Sequence, residues 1–133
     1  MHGASTHFPI ALTLVALLCD GAAVCLWHRP ARRGLRSAGL AAAAIAAAGT
    51  VPAVASGLWL TRGDLLGAGA LRWHHLFAWP AFGLIVAAAT WRGLAHRQLS
   101  RRAQAAGVAA WAAAALLVSA AGYWGGQLLQ AFP

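Results

Sequence analysis

Three histidines are the residues of this 133-residue chain whose type and spacing best suit a chemical role. His7 begins a long apolar run, in "HFPIAL", and His74 and His75 begin another, in "WHHLFAWP". If the two runs form diagonal helices of a four-helix bundle, adjacent axes about 8–10 Å apart put these imidazoles roughly 11–14 Å apart. That separation suits two axial ligands of one haem iron. The sequence therefore predicts a haem b site with His7 as one ligand and His74 or His75 as the other.

The helical periodicity after each histidine of the pair favours His74 as the inward ligand. The stripe that continues from His74 at helical spacing consists of Ala78, Ala81, Ile85 and Ala88. The stripe that continues from His75 is bulkier and consists of Trp79, Phe82, Val86 and Ala89. We expect the smooth stripe to face the bundle or a flat macrocycle, and the bulky stripe to face lipid. His75 is then a boundary or supporting residue, and a purely structural role for any of these histidines remains an alternative.

Asp20 is the other residue whose position suggests chemistry, because it lies roughly 10 Å inside the end of the first apolar run. An ionisable side chain at membrane depth is costly and points to a function. Two roles are open for it: a buried hydrogen bond, to the indole of Trp111 or to an arginine from a neighbouring loop, or proton transfer. The segment "GYWGG" also places Gly125 and Gly126 near the histidines, where they either admit a cofactor edge or simply pack.

Composition defines the elements that must position these residues. The chain is 61% hydrophobic, with two acidic residues and ten basic ones, which is unlike an ordinary soluble domain. Its arginines cluster in two short segments, 28–36 and 92–102, rather than along an amphipathic face, so nucleic acid is not an expected partner. The lipid bilayer is the expected environment.

Four apolar runs are each long enough, as helices, to cross a hydrocarbon core about 30 Å thick. They span about 6–27, 38–61, 74–91 and 104–128. Because backbone groups in lipid must bond internally and the connections are short, we predict an all-α fold. It is an integral membrane four-helix up-down-up-down bundle, with residues 1–133 as a single transmembrane domain.

The arginine-rich segments also orient the bundle. Cytoplasmic loops of membrane proteins are enriched in basic residues, which predicts that 28–36 and 92–102 are cytoplasmic and 62–73 is external. Both termini are then expected on the outer, periplasmic side of a bacterial inner membrane. Thr6 is expected as the N-cap of the first helix, with Pro9 in its first turn.

Several of these features together resemble a bacterial four-helix membrane family known as domain of unknown function 2231. The resemblance rests on "HFPIAL", Asp20, "SGLWLTRGD", "WHH" and "GYWGG" and covers almost the whole chain. It implies that His7 and His74 take the family's histidine positions and that Asp20 is an acid often seen in the first helix. Members are often found beside respiratory or cytochrome-like genes, and some are similar to haem-carrying membrane cytochromes, which favours the haem hypothesis.

The leading functional prediction is a small b-type cytochrome that passes electrons between a quinone or a respiratory complex and an external partner. Two histidine ligands leave no open iron position, which favours electron transfer over oxygen chemistry. The protein is accordingly expected to be an electron carrier or a subunit rather than a stand-alone enzyme. One alternative is a non-catalytic membrane anchor or structural subunit of a larger complex. A second is a proton or metal-ion conduit that uses Asp20 and the histidines.

Overall fold

The computed structural model describes residues 2–95 and 99–130, which form four α-helices and no strand. The helices are α1 (His2–Cys25), α2 (Ala31–Leu60), α3 (Gly69–Leu94) and α4 (Arg101–Gln130). The predicted all-α class with four helices is confirmed. The order of the helices follows the order of the apolar runs along the chain.

The helices extend further than the apolar runs. α2 begins directly after Pro30, so Arg32, Arg33 and Arg36 are helical, whereas the sequence placed them in the loop 28–36. Arg92 likewise lies in the last turn of α3 rather than in a loop. Arginine is a good helix former, and a helix that leaves the apolar region continues while its backbone hydrogen bonds can be made. The predicted loops were therefore too long.

The start of α1 also differs from its prediction. The helix begins at His2, so Thr6 is not its N-cap and Pro9 lies inside the helix rather than in the first turn. Proline in a helix removes one backbone donor. Pro9 is buried, and its carbonyl accepts a hydrogen bond of 2.8 Å from the hydroxyl of Thr13.

Each helix packs against two neighbours: α1 and α3 each contact both α2 and α4. α1 and α3 are therefore diagonal to each other, as the haem hypothesis requires. The core consists mainly of alanines around Trp111, whose side chain is 0% exposed. Small residues of this kind allow close approach of helices in lipid.

The face of α3 that points into the core is the one predicted from His74. Ala81, Ile85 and Ala88 are buried, which confirms this part of the small stripe, whereas His74 and Ala78 at its start are only half-buried. The bulky stripe is only half-buried, so the prediction that it faces lipid is wrong in part. Its first member, Trp79, donates its indole N–H to the carbonyl of Leu65 in the preceding loop, at 3.0 Å.

Three of the helices are long and apolar enough to cross a membrane, on the criteria of length and composition applied to the described residues. They are the segments Thr6–Cys25, Ala31–Leu60 and Arg101–Leu128. α3 does not reach this level, since His74, His75 and Arg92 make it more polar. Its crossing of the membrane, predicted over 74–91, stays a prediction.

The bundle has two ends with different chemistry. The arginine end contains Asp20, Arg36, Arg92 and Gln104, together with the turn between α1 and α2. The histidine end contains His7, His74, His75 and the loop 61–68 between α2 and α3. A Cβ atom at Gly49, in the second half of α2, would lie 3.5 Å from Phe8 and Pro9 near the beginning of α1. α2 continues through the loop 61–68 into α3. The beginning of α1 and the beginning of α3 therefore belong to the same end of the bundle.

Candidate functional site

The loop at the histidine end is held by Asp64. Its Oδ1 accepts hydrogen bonds from the backbone N–H groups of Gly67, at 2.8 Å, and Leu66, at 3.1 Å. These two donors lower the pKa of the Asp64 carboxyl below its ordinary value. Gly67 itself has φ +65°, a conformation that glycine adopts without strain. The carboxylate and the glycine together fold the loop back over the start of α3.

The loop covers His75. This side chain is only 8% exposed, and its ring lies 6.1 Å, between centroids, from that of Trp79. Trp79 is fixed by the carbonyl of Leu65 in the loop. Nδ1 of His75 is buried without a hydrogen-bond partner. The structure therefore encloses His75 between the loop and Trp79, although the sequence predicted a boundary position for it.

His74 is half-buried and contacts α4. Its Nδ1 lies 2.8 Å from the carbonyl oxygen of Ala121. A carbonyl oxygen only accepts, so Nδ1 carries the proton of this hydrogen bond. In the neutral ring Nε2 then keeps its lone pair and is the nitrogen that can bind a metal. The contact with Ala121 thus fixes the tautomer of His74.

Gly125 makes this contact possible. A Cβ atom at position 125 would lie 3.3 Å from Nδ1 of His74, which is tighter than an ordinary contact. A helix carbonyl has a second lone pair, and the missing side chain leaves that of Ala121 accessible. The structure thus places Gly125 against the ligand candidate His74. At Gly126 a Cβ atom would meet nothing within 4 Å.

The third histidine of this end, His7, is exposed on α1. Its ring is not enclosed by the helices. No group of three or more histidine, cysteine, aspartate or glutamate side chains among the described residues could hold a metal ion. Haem iron needs only one or two protein ligands, so this finding does not bear on a haem.

The imidazoles of His7 and His74 are side chains of a type that binds haem iron. Metal-binding histidines usually donate their second ring N–H to a carbonyl or carboxylate, which is the arrangement of His74 with Ala121. His7 supplies a second imidazole at the same end of the bundle, but it is exposed and does not pack in the core. His74 is thus the better-positioned candidate ligand of the two.

At the arginine end Asp20 forms a buried ion pair with Arg92. Nε of Arg92 donates to Oδ2 of Asp20 at 3.0 Å and Nη2 donates to Oδ1 at 2.9 Å. Both side chains are 1% exposed. The pair joins α1 to its diagonal neighbour α3. The partner of Asp20 is therefore an arginine, as one of the predicted alternatives had it, and not Trp111.

Two further helices contribute to this cluster. Nη2 of Arg92 also donates to the backbone carbonyl of Arg36 in α2, at 3.1 Å. Nε2 of Gln104 in α4 donates to the backbone carbonyl of Asp20, at 3.5 Å. All four helices thus contribute a hydrogen-bonding group to the cluster around the Asp20–Arg92 pair. The sequence did not indicate Gln104, although a buried acid at membrane depth does require a cation and polar neighbours.

Chemically, this geometry holds the carboxylate of Asp20 rather than exposing it. Removal of one partner from a buried ion pair leaves an uncompensated charge and is strongly destabilising. The cluster therefore acts as a structural lock between helices. Proton transfer by Asp20, the sharper of its two predicted roles, would require this lock to open.

Comparison with protein families identifies the chain. The family model described as "Predicted membrane protein (DUF2231)" matches residues 1–132, and the chain belongs to this family. The resemblance inferred from the motifs is thereby confirmed. Comparisons with curated proteins and with solved structures found no match.

Proposed function

We propose that this member of the DUF2231 family is a small membrane cytochrome-like protein that binds haem b at its histidine end. His74 and His7 are the residues that would hold the haem iron. The proposed role is transfer of electrons between a quinone or a respiratory complex and an external partner, in a bacterial inner membrane with both termini on the periplasmic side.

The observation that carries the proposal is the hydrogen bond from Nδ1 of His74 to the carbonyl of Ala121. It holds the ring in one orientation and directs the lone pair to Nε2. A structural histidine at a membrane boundary does not need such a fixed acceptor, since lipid headgroups and water can satisfy it. The arrangement is the one that orients ligating histidines in metal proteins.

In this proposal the residues around His74 position its ring and limit access of water. Ala121 positions the His74 ring, and Gly125 leaves room for it. The loop held by Asp64 covers His75 and limits access of water to that side. Haem, when bound, supplies an iron that changes its oxidation state by one electron.

The test is a reduced-minus-oxidised absorption spectrum of the purified protein, expressed with ample haem. Variants His7→Ala, His74→Ala and His75→Ala are compared with His28→Ala, which removes an exposed histidine from the opposite end of the bundle. The proposal predicts a b-type α band that is lost or shifted in His74→Ala and unchanged in His28→Ala. A flat spectrum in a well-folded sample would refute it.

His75→Ala separates the two neighbouring histidines. The fixed tautomer of His74 predicts that His75→Ala keeps the α band, with a changed intensity at most. Loss of the band in His75→Ala together with its survival in His74→Ala would assign the iron to His75, whose Nδ1 is buried without a partner.

A second candidate function is a non-catalytic structural subunit of a larger membrane complex. The lock around Asp20 favours it, because this lock gives a rigid bundle whose interior is filled by alanines and Trp111. A colourless protein that co-purifies with other subunits would support this function. The conduit hypothesis is the weakest of the three, since the only acid in the helices is held by Arg92.

A further inference from the structure

The turn between α1 and α2 forms a basic cleft at the arginine end. The cleft has a volume of about 440 Å³ and is lined by Trp27, His28, Arg29, Pro30, Arg32 and Arg33. It lies between two of the helices that are long enough to cross a membrane, Thr6–Cys25 and Ala31–Leu60. Its depth is therefore that of lipid headgroups rather than of acyl chains.

Within residues 2–95 and 99–130, no carboxylate is placed to neutralise these arginines. The whole sequence contains two acidic residues, Asp20 and Asp64. Asp20 is engaged by both Nε and Nη2 of Arg92, and Asp64 holds the loop at the opposite end of the bundle. An anion that neutralises the cleft would therefore come from outside the described residues.

The start of α2 adds to this need. A helix N-terminus carries a partial positive charge that favours anions and disfavours cations. α2 has no acidic residue in its first turn and no side-chain cap, and its second and third residues are Arg32 and Arg33. An anion bound in the cleft would balance both the helix and the arginines.

Arg32 is already positioned to bind an anion. Its guanidinium carbon lies 3.4 Å from the centroid of the Trp27 ring, a cation–π contact that fixes the planar group in the cleft. Its Nε is buried and has no hydrogen-bond partner. A planar, fixed guanidinium matches the paired oxygens of a phosphate group.

We propose that the cleft formed by Trp27, Arg29, Arg32 and Arg33 binds the phosphate of an anionic lipid headgroup. Arg32, held by Trp27, binds phosphate oxygens directly, and Arg29 and Arg33 supply further positive charge. The occupant is a lipid because the cleft lies where the helices leave the hydrocarbon region. This site is independent of the haem proposal, since it lies at the other end of the bundle.

The experiment counts bound lipid by native mass spectrometry on the full-length protein in neutral detergent. The protein is titrated with dioleoylphosphatidylglycerol, and in parallel with dioleoylphosphatidylcholine as the zwitterionic comparison. The double variant R32Q/R33Q is matched by R101Q/R102Q, which removes the same charge from exposed positions at the start of α4. Circular dichroism confirms that each variant is folded.

The proposal predicts retention of phosphatidylglycerol over phosphatidylcholine by the unaltered protein. R32Q/R33Q should weaken this retention about tenfold, whereas R101Q/R102Q should leave it within about twofold. Trp27→Leu, which keeps all arginines but releases Arg32, should weaken it by about threefold.

Three results would overturn the proposal. Equal losses in the two double variants would indicate diffuse charge attraction rather than a site. Equal retention of the two lipids would remove the requirement for an anionic headgroup. Complete displacement of the lipid by millimolar inorganic phosphate would identify a site for free phosphate instead.

Discussion

The two ends of the bundle differ in the burial and the hydrogen-bond partners of their polar residues. At the arginine end Asp20 and Arg92 are 1% exposed and bind each other through two hydrogen bonds. At the histidine end His7 is exposed and His74 is half-buried, with one ring nitrogen bound to a backbone carbonyl. By helical rise, the two sets of residues lie about 20–27 Å apart along α1 and α3.

This difference separates a structural role from a ligand-binding one. The two charges of a buried ion pair are held against each other within the protein, although Nη1 of Arg92 has no hydrogen-bond partner, so removal of one charge should damage the fold. A neutral histidine that donates through Nδ1 keeps a lone pair at Nε2, so its removal should affect a ligand more than the fold.

Removal of one member of the ion pair should give the largest loss of stability. Asp20→Asn or Arg92→Gln leaves a charge or its donors buried without a partner, which costs about 3–5 kcal/mol. Denaturant unfolding in detergent micelles, followed by circular dichroism, measures this loss.

The double variant Asp20→Asn/Arg92→Gln serves as the control for that experiment. Because neither charge remains, it should lose clearly less stability than the sum of the two single variants. If Asp20→Asn alone were as stable as the unaltered protein, the cluster would not be a lock.

Glycine-to-alanine substitutions should change stability less than loss of the ion pair, and by different amounts at the two ends. At position 39 a Cβ atom would lie 2.9 Å from Oδ1 of Asp20, so Gly39→Ala should displace the ion pair and cost about 1–3 kcal/mol. At position 125 the added atom would meet only the His74 ring, at 3.3 Å. Gly125→Ala should therefore change haem binding with little loss of stability in the apoprotein.

Gly83→Ala provides the baseline for this comparison. Position 83 is exposed on α3, and a Cβ atom there would meet nothing within 4 Å, so the substitution should gain up to about 1 kcal/mol from helix propensity. Thermal unfolding of the three variants ranks them. A loss in Gly125→Ala as large as that in Gly39→Ala would show that the histidine end is as tightly packed as the arginine end.

The smallest effect should be a pH dependence of stability that is confined to the loop of the histidine end. Because the N–H groups of Gly67 and Leu66 lower the pKa of Asp64, the stabilisation of the loop is present above the ordinary pKa of the carboxyl. It is lost as the pH falls through the lowered pKa. The amide resonance of Gly67 in an NMR titration follows this change.

Asp64→Asn keeps an acceptor oxygen without the titrating proton. Its Gly67 resonance should be independent of pH in the acid range. An unchanged titration in this variant would assign the effect to another group.

The sequence predicted the helices well because each of the four apolar runs marks one helix. It predicted their ends less well, since an arginine-rich segment can be loop or helix and the apolar pattern does not distinguish the two. The position of Arg92 depends on this point. As a loop residue it was one of several possible partners of Asp20, but in the last turn of α3 it faces the carboxylate directly.

The histidine end shows a similar limit. The periodicity after His74 identified three buried residues of α3, Ala81, Ile85 and Ala88, although His74 itself is only half-buried. It could not indicate the burial of His75, which depends on a loop that folds back over the helix. Nor could it indicate the acceptor at Ala121, which is available because Gly125 crosses α3 at this depth.

The most direct test of the separation between the two ends is the change in Tm that added haemin produces in three proteins. In the unaltered protein, haemin at a large excess over its Kd should raise Tm by on the order of 5 °C. Arg92→Gln should have a lower Tm but keep this increase, whereas His74→Ala should have a nearly unchanged Tm and lose the increase. An equal increase in the unaltered protein and His74→Ala, or none in either, would contradict the assignment of ligand binding to the histidine end.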